Sequence, residues 1–288
     1  MQELYTAYKN LLFKLAYQLT GSVSDAEDVV QDVFLKAADV PPDKLLAEPK
    51  AYLCKMVANR CKDLHKSARR QRERYYGEWL PEPFADTYGD EMDAVIHNDL
   101  LSYAMLVLLE RLTPTERVVF VLREALGFDY QELARLTEKS EANCRKLYSR
   151  ASAKMGLDAE EIVAAEPANL AWVERFLKAL KQGNMDQILS MLDQDVVSIS
   201  DGGGKAAAVV EPIERKEAVA QFLLGPLRQA ATVNGEVRIE IEVLNGQPCL
   251  VLRSNEGIHT VGMLHVEHDR IRNLYFVRNP DKLTHADG

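Results

Sequence analysis

The stretch from Leu112 to Met155, LTPTERVVFVLREALGFDYQELARLTEKSEANCRKLYSRASAKM, carries the local signals that decide the fold of its part of the chain. Thr113 is a favourable N-cap residue, and Pro114 suits the first position of a helix. Glu116 completes a capping box with Thr113, and Gly127 is suited to end the helix. We therefore predict a helix between Thr113 and Gly127.

Two further helices follow in the same stretch. Asp129 and Glu132 repeat the capping box, and the turn TEKS separates this second helix from a third. One face of the third helix is apolar, with Cys144, Leu147, Tyr148, Ala151 and Met155 at helical spacing. The opposite face is polar and basic, with Asn143, Arg145, Lys146, Ser149, Arg150 and Lys154. This arrangement is typical of a helix-turn-helix that places its second helix in the major groove of DNA. The alternative is an ordinary helical hairpin.

An acidic helix precedes this region, in the segment SDAEDVVQDVFLKAADV that begins at Ser24. Ser24 can cap the helix, with Glu27 three residues later. Ala26, Val29, Val30, Val33 and Phe34 form one apolar stripe. The other face carries Asp25, Asp28 and Asp32, with Gln31 beside them.

A basic helix follows, although the whole chain has a formal net charge of −9. In AYLCKMVANRCKDLHKSARRQ, lysine and arginine far outnumber acidic residues, and Tyr52 lies among them. A local basic stripe with a neighbouring aromatic side chain is typical of phosphate binding. The alternative is a solvated, charged helix face.

The composition limits the class of protein. The 288 residues correspond to roughly two or three domains, and 47% hydrophobic content suffices for cores. No apolar run is long enough to span a bilayer, and the N-terminus lacks the pattern of a signal peptide, so we expect a cytoplasmic protein without a membrane partner. Cys54 and Cys61 lie about 10 Å apart along one helix, which predicts buried thiols rather than a disulfide. There is no CxxC pair, and we expect neither a metal nor a cofactor.

A third body begins near Pro167, where helical segments give way to a meander of strands. Asn245 and Gly246 are a strong hairpin signal between two of these strands. Helices followed by a meander predict an α+β cone with a central pocket.

The segment SISDGGGKAAAVV, from Ser198 to Val210, contains three consecutive glycines. A phosphate-binding P-loop needs GxxxxGK followed by Ser or Thr, whereas here Ala206 follows Lys205. Taken alone, the segment is a glycine-rich hairpin or bulge that presents Asp201 and Lys205 without bulky neighbours.

The acidic helix, the basic helix and the helix-turn-helix, in this order, resemble regions two and four of extracytoplasmic-function (ECF) bacterial sigma factors. The third body resembles SnoaL-like domains of the nuclear-transport-factor-2-like (NTF2-like) fold. The resemblance implies two all-α sigma domains, a region-two helical bundle and a region-four helix-turn-helix, followed by an α+β cone. The implied boundaries are 1–75 for region two, 76–98 for a linker, 99–157 for region four and 166–288 for the SnoaL-like domain.

The resemblance also implies roles for individual residues. Core RNA polymerase, through the clamp helices of its β′ subunit, is expected to contact Asp25, Asp28, Gln31 and Asp32, while its β flap is a further partner. The minus-ten element of promoter DNA is expected to contact Lys55, Asn59, Arg60, Lys62, Lys66, Arg69 and Arg70. The minus-thirty-five element is expected to contact Ser140, Asn143, Arg145, Lys146, Ser149 and Arg150.

Three short segments, WLPEP, DGGGK and NPDKL, resemble the signatures of ECF sigma factors with a C-terminal SnoaL-like extension, group forty-one of that class. The resemblance implies that the extension regulates the sigma domains through an intrachain contact, in place of a separately encoded anti-sigma factor. The residues of this contact would be Trp79, Leu80, Pro81, Asp201, Gly202, Gly203, Gly204, Lys205, Asn279, Pro280, Asp281, Lys282 and Leu283.

An enzyme is the alternative, since the NTF2-like fold often hosts cyclases and isomerases. Acid-base chemistry would need carboxylates or histidines facing the pocket. The candidates are Asp201, His259, His265, Glu267 and His268. No carboxylate spacing suggests a metal triad, and a pocket enzyme would leave the acidic and basic helices unexplained. A non-catalytic sigma factor that directs polymerase to promoters therefore explains more of the chain than a DNA-binding regulator fused to a pocket enzyme.

Overall fold

A computed structural model describes the backbone of residues 1–72, 75–85, 102–156, 169–230 and 237–287. The side chains of 42–44, 66–72 and 226–230 lie outside the described part. The described residues form two compact units, one made of 1–72 and 105–156 and the other of 75–85, 102–104, 169–230 and 237–287.

The first unit is helical. Its first helices are α1 (Gln2–Thr20), α2 (Val23–Ala37), α3 (Pro42–Ala47) and α4 (Pro49–Arg72). Further along the chain are α5 (Tyr103–Leu109), whose first two residues belong to the second unit, α6 (Pro114–Glu124), α7 (Tyr130–Thr137) and α8 (Glu141–Met155). Helix α1 packs against α2, α4 and α6, and α4 also packs against α7. The unit is thus a single helical body rather than two separate bundles.

The local signals around α6 and α7 are confirmed. Thr113 and Glu116 form a reciprocal capping box, and Asp129 and Glu132 form a second one. Gly127 adopts a left-handed φ of 69° after α6 has ended.

The predicted cap of the acidic helix is wrong. Its N-cap is Ser22, whose hydroxyl accepts the backbone N–H of Asp25, and Ser24 lies in the first turn. Gly21 ends α1 in the left-handed conformation, and Ser22 follows at once with the extended backbone that an N-cap requires. The chain therefore has room to start α2 two residues earlier than the sequence pattern indicates.

Arg117 is buried where α6 meets α1. Its side chain is 1% exposed, and its Nε donates to the carbonyl oxygen of Gln18 at 2.8 Å. Its Nη1 forms an ion pair with Glu110 at 2.5 Å. A buried guanidinium is costly unless it is paired, so these partners fix how α6 lies on α1.

The second unit is α+β, as predicted. It contains α9 (Leu170–Lys181), α10 (Met185–Met191) and α11 (Lys216–Ala230). Its strands are β1 (Leu192–Asp201), β2 (Ile213–Glu214), β3 (Arg238–Leu244), β4 (Gln247–Ser254), β5 (Gly257–Glu267) and β6 (Arg270–Val277). The sheet order is β2-β1-β6-β5-β4-β3, with β1 and β6 parallel and the other pairs antiparallel.

One face of this sheet packs against the three helices. Trp172 and Phe176 of α9, Ile188 of α10 and Val219 of α11 are buried against sheet residues such as Leu274. The predicted hairpin is confirmed, because Asn245 and Gly246 have φ values of 52° and 70° between β3 and β4. Burial of one face in this way leaves the strand ends and loops free to carry polar groups.

The four cysteines are free and buried, which confirms the prediction of buried thiols. Burial raises the pKa of Cys54 and of Cys61 to about 12. Among the described residues, no helix is long and apolar enough to cross a membrane. Nor does any group of His, Cys, Asp and Glu side chains in those ranges have the geometry to hold a metal ion.

Candidate functional site

The outer face of α8 is polar and solvent-exposed. Ser140 is the N-cap, and its hydroxyl accepts the backbone N–H of Asn143. Cys144, Ala151 and Met155 are buried on the inner side. The exposed face carries Asn143, Arg145, Lys146, Ser149 and Arg150. Its shape and charge suit the major groove of duplex DNA.

The basic side chains of this face differ in their partners. The Arg145 guanidinium lies 4.2 Å from the Tyr130 ring centroid and 3.6 Å from Glu141. Lys154 bonds to Glu116 at 2.6 Å and so supports the start of α6. No described residue forms an ion pair with Lys146 or Arg150, which leaves both available for phosphate or base contacts.

The basic helix α4 faces α7 and α2. Lys55 forms an ion pair with Glu138, the C-cap residue of α7, at 2.8 Å. Arg60 forms an ion pair with Asp32 of α2 at 2.7 Å. Lys62 bonds to Asn59 on the same helix at 3.4 Å. Lys66, Arg69 and Arg70 lie in α4, but their side chains fall outside the described residues.

The electrostatic environment of Lys62 shows that basic groups converge here. Partial burial lowers the pKa of Lys62, and so does the nearby charge of Lys139 and of Lys55, while Glu138 acts in the opposite direction. Lys139 lies in the turn before α8. A positively charged patch thus extends from α4 to the turn that precedes α8.

The acidic face of α2 is only partly free. Asp28 and Gln31 are exposed, whereas Asp25 and Asp32 are half-buried. The Asp32 side chain is already bound to Arg60 of α4. Beside Gln31, α1 and α2 enclose a groove of about 590 Å³ with an apolar lining that includes Tyr5, Phe34 and Leu35. Leu35 is 64% exposed there.

In the second unit, Asp201 is the centre of a buried polar cluster. Its Oδ2 accepts Lys282 Nζ at 2.7 Å and the backbone N–H of Leu80 at 2.9 Å, while Oδ1 accepts the Tyr75 hydroxyl at 2.6 Å. Lys282 also donates to the carbonyl oxygen of Leu80 at 2.6 Å, and its Nζ lies 3.9 Å from the Trp79 ring centroid. The prediction that the glycine turn presents Asp201 without bulky neighbours is therefore wrong, because Tyr75 and Lys282 bond to its carboxylate. The carboxylate instead points inward, because it needs the ammonium and N–H donors that satisfy a buried charge.

The glycines allow this close packing. A Cβ on Gly203 would lie 2.3 Å from Asn279 Nδ2 and 2.8 Å from the Tyr75 hydroxyl oxygen. Asn279 Nδ2 in turn donates to that hydroxyl at 2.8 Å. Burial, followed by the bond to Asp201, raises the pKa of Tyr75, so this phenol stays protonated as a donor. A Cβ on Gly202 would meet the Ala206 carbonyl oxygen at 2.4 Å.

The remaining signature residues lie around this cluster. Lys205 and Asp281 form an exposed ion pair at 2.5 Å between the DGGGK and NPDKL segments. Pro81 and Leu283 are buried, and Pro280 is exposed. The structure thus brings the WLPEP, DGGGK and NPDKL segments together in one place, which we call the linker dock.

The comparisons with known proteins agree with these observations. Residues 4–71 match the family model described as Sigma-70 region 2, and residues 102–155 match that described as Sigma-70, region 4. The ECF RNA polymerase sigma factor SigJ of Mycobacterium tuberculosis is 32% identical over 295 residues, which cover 97% of this chain and 92% of that protein. This chain belongs to the ECF sigma factors.

Other matches span the same length. The probable ECF RNA polymerase sigma factor SigI of Mycobacterium tuberculosis is 30% identical and covers 97% of this chain and 93% of that protein. The crystal structure of SigJ matches with a TM-score of 0.78 and 29% identity over 99% of both chains. Two helical sigma regions followed by an α+β domain, the predicted fold class, are thereby confirmed. This sigma factor accordingly binds core RNA polymerase and promoter DNA and acts in transcription initiation.

Several contacts of the linker dock were not predicted from the sequence of this sigma factor. The Tyr103 hydroxyl donates to the Pro81 carbonyl oxygen at 2.7 Å, and the Tyr103 ring centroid lies 5.7 Å from that of Tyr275. The backbone N–H of Asn245 donates to the Phe84 carbonyl oxygen at 2.9 Å, and the backbone N–H of Phe84 donates to Asn245 Oδ1 at 3.3 Å. The Asn-Gly hairpin signal located Asn245 but gave no indication of this second role.

The histidines considered for catalysis in this sigma factor lie outside the lining of the cavity, and two of them contact polar side chains. His259 lies 2.6 Å from Ser254, and His265 lies 3.0 Å from Asn273 and 3.2 Å from Glu267. His268 is in the turn between β5 and β6, with a φ of 49°. The apolar cavity of the second unit has about 100 Å³, and none of these side chains lines it.

Proposed function

We propose that the C-terminal domain of this sigma factor regulates promoter recognition by holding the segment that connects regions two and four. The observation that carries the proposal is the Asp201–Lys282 ion pair, which is closed over the backbone of Leu80. Residues 75–85 and 102–104, at the two ends of the connecting segment, group with the C-terminal domain. The linker dock therefore holds both ends of the segment that joins the two promoter-reading regions, and its state determines whether that segment is bound or released.

We assign the partners of each region from the family and from exposure. Helix α4 would read the minus-ten element, and α8 would read the minus-thirty-five element as duplex. Asp28 and Gln31, next to the apolar groove of α2, would contact the β′ clamp helices, and region four would contact the β flap. The place of action would then be the cytoplasm, where core polymerase transcribes.

The packing of α4 on α7 supports a closed resting state. The minus-ten and minus-thirty-five elements lie about 25 base pairs apart, which is about 85 Å along straight DNA. In the structure α4 packs against α7, and Lys55 of α4 forms a 2.8 Å ion pair with Glu138, next to the turn that precedes α8. The two readers cannot reach both elements while this contact persists, so polymerase binding must separate them.

The linker dock is suited to a switch because its central charged contact, between Asp201 and Lys282, is buried. Removing one partner of a buried ion pair leaves an uncompensated charge, which makes the docked state sensitive to small changes. We propose that this internal device serves in place of a separate anti-sigma factor. We also propose that the domain is non-catalytic, because its histidines are bonded to structural partners rather than directed into the cavity.

The test is a transcription assay with the full chain and purified core polymerase on a promoter selected from a library. Asp201→Asn and Lys282→Met should change transcription from that promoter strongly while leaving its sequence preference intact. Asp186→Asn, which changes an exposed aspartate of α10 outside the linker dock, is the matched control and should behave as the parent. If folded Asp201→Asn protein transcribes like the parent, the regulatory role is refuted, although the sigma activity itself still stands.

A further inference from the structure

The second unit contains an apolar cavity with one charged side chain in its wall. The cavity has about 100 Å³ and lies between the sheet and helices α9 and α11. Leu250, Leu252 and Phe276 supply apolar surface, and the polar groups of the lining are Thr260 and Arg278. The rest of the lining consists of Leu180, Phe222, Leu223, Ile239 and Gly262.

The strand register explains why these residues share one wall. Leu252 pairs with Thr260, and Leu250 pairs with Gly262, which in turn pairs with Phe276. Partners directly opposite each other in a sheet have side chains on the same face. A Cβ on Gly262 would lie 3.0 Å from the Phe276 ring, so glycine gives this ring room above the sheet.

Arg278 follows the last residue of β6 and carries an unsatisfied donor. Its Nε is buried, and no described residue accepts a hydrogen bond from it. Within the same described ranges, its guanidinium forms no ion pair with a carboxylate. Burial lowers the pKa of Arg278, whose side chain is half-buried. A guanidinium stays protonated in proteins, so the cavity wall holds a partly desolvated positive charge for which the described residues supply no carboxylate.

We propose that this cavity binds a small monocarboxylate with an apolar body, whose carboxylate is held by the guanidinium of Arg278. Arginine matches a carboxylate with two parallel N–H donors, and the Thr260 hydroxyl can donate a third bond. Apolar cavities of about 150 Å³ bind benzene, so this one, with about 100 Å³, fits a body of about three to four carbon atoms.

The charge and the lining select the class of ligand. Phosphate esters carry close to two negative charges at neutral pH and need several donors. One guanidinium and one hydroxyl cannot supply them, and the remaining wall is apolar. A nucleotide is also far too large for about 100 Å³. A neutral apolar molecule would fill the cavity but leave the charge of Arg278 uncompensated.

The position of Arg278 links the cavity to the linker dock. Its backbone N–H donates to the Asp201 carbonyl oxygen at 2.7 Å, and the N–H of Asn279 donates to the same oxygen at 3.0 Å. Movement of Arg278 toward a carboxylate would therefore pull on the residue that anchors Leu80. This coupling rests on the proposed regulatory function, whereas the binding site itself does not.

The site can be tested with butyrate and valerate as probes on the full-length protein. Tryptophan fluorescence during thermal unfolding is a suitable readout, because the chain's two tryptophans, Trp79 and Trp172, both lie in the second unit. At constant ionic strength, saturable stabilisation by the carboxylates is expected, with little effect from butanol, pentanol or phosphate. Equal stabilisation by phosphate, or none from either carboxylate, would overturn the proposal.

Two variants separate binding from folding. Arg278→Met removes the unpaired charge, so the ligand-free protein should melt at the same temperature or higher, but the stabilisation by valerate should be lost. Arg238→Gln changes an exposed arginine on β3 that does not line the cavity, and it should retain the full stabilisation. Retention of the valerate effect in Arg278→Met would refute the site.

A third measurement needs no variant. Valerate should shift the ¹⁵Nε–¹H resonance of Arg278 in the parent protein, and pentanol should not. An unshifted Arg278 resonance at saturating valerate would exclude the proposed contact even if the variants failed to fold. Transcription with and without valerate then tests the coupling, and its failure would leave the binding site standing.

Discussion

Lys282 and Asp201 form an ion pair at 2.7 Å in which the lysine side chain is 7% exposed and the aspartate is fully buried. Lys282 also donates to the Leu80 carbonyl oxygen, while Asp201 accepts the Leu80 N–H. The backbone of Leu80 therefore bonds to both members of the pair. The pair consequently specifies the position of the linker segment in addition to its effect on stability.

The first prediction concerns the coupling of this pair. Asp201→Asn and Lys282→Met should each destabilise the second unit by about 3–5 kcal/mol, because each leaves a buried charge unpaired. The double variant should cost clearly less than the sum of the two. Denaturant unfolding followed by tryptophan fluorescence measures these free energies in the relevant unit. Additive effects of the two single changes would show that the pair does not act together.

The second prediction concerns the outer face of α8. Lys146→Ala and Arg150→Ala should each weaken binding of the holoenzyme to promoter DNA, by about 1–3 kcal/mol where the side chain contacts a base. A phosphate contact should instead lower the slope of binding against salt by about one unit. Lys178→Ala, an exposed lysine of α9, is the matched control. Unchanged DNA binding by both α8 variants would contradict the assignment of α8 as the recognition helix.

The third prediction concerns docking to polymerase. Asp28→Lys should lower affinity for core polymerase by at least about tenfold, or about 1.4 kcal/mol, since it reverses a charge at the edge of the proposed contact. Asp32→Lys tests the contact less cleanly, because it also breaks the bond to Arg60. Asp39→Lys, exposed just beyond α2, should have little effect. Equal binding of folded Asp28→Lys and Asp39→Lys proteins would reject the docking surface.

The fourth prediction is a pH dependence of the closed packing of α4 on α7. The Lys55 ammonium holds the pKa of Glu138 below its ordinary value. A depressed carboxyl pKa stabilises the packed form above the ordinary glutamate pKa, and this contribution disappears as pH falls through the lowered pKa. Distance measurements between labels on α4 and α8 should therefore show opening in acid. Glu138→Gln should be more open at neutral pH and should lack this acid-dependent step.

These features differ in how far the sequence could predict them. The capping boxes at Thr113 and Asp129 and the exposed face of α8 were predicted correctly, because caps and helical periodicity depend on residues within a few positions of one another. The burial of Asp201 was not predicted. Its partners Tyr75 and Lys282 lie 126 and 81 positions away, and no local pattern encodes such a pairing. The bond between Asp32 and Arg60 was missed for the same reason.

The last prediction concerns Gly203, which lies where the DGGGK turn meets Tyr75 and Asn279. Gly203→Ala places a methyl group 2.3 Å from Asn279 Nδ2, and its φ of 57° is unfavourable for alanine. Gly183→Ala is a matched control, since its φ of 62° carries a similar strain but no atom lies within 4 Å of the new Cβ.

The strain at a left-handed position costs about 1–2 kcal/mol in both variants, so any further loss in Gly203→Ala measures displacement of Tyr75 and Asn279. We expect Gly203→Ala to be the less stable of the two by fluorescence-detected unfolding. It should also expose the linker segment to proteolysis and alter transcription in the same direction as Asp201→Asn. If the two alanine variants unfold alike and Gly203→Ala transcribes like the parent, the close contact of the turn with Tyr75 does not control the linker.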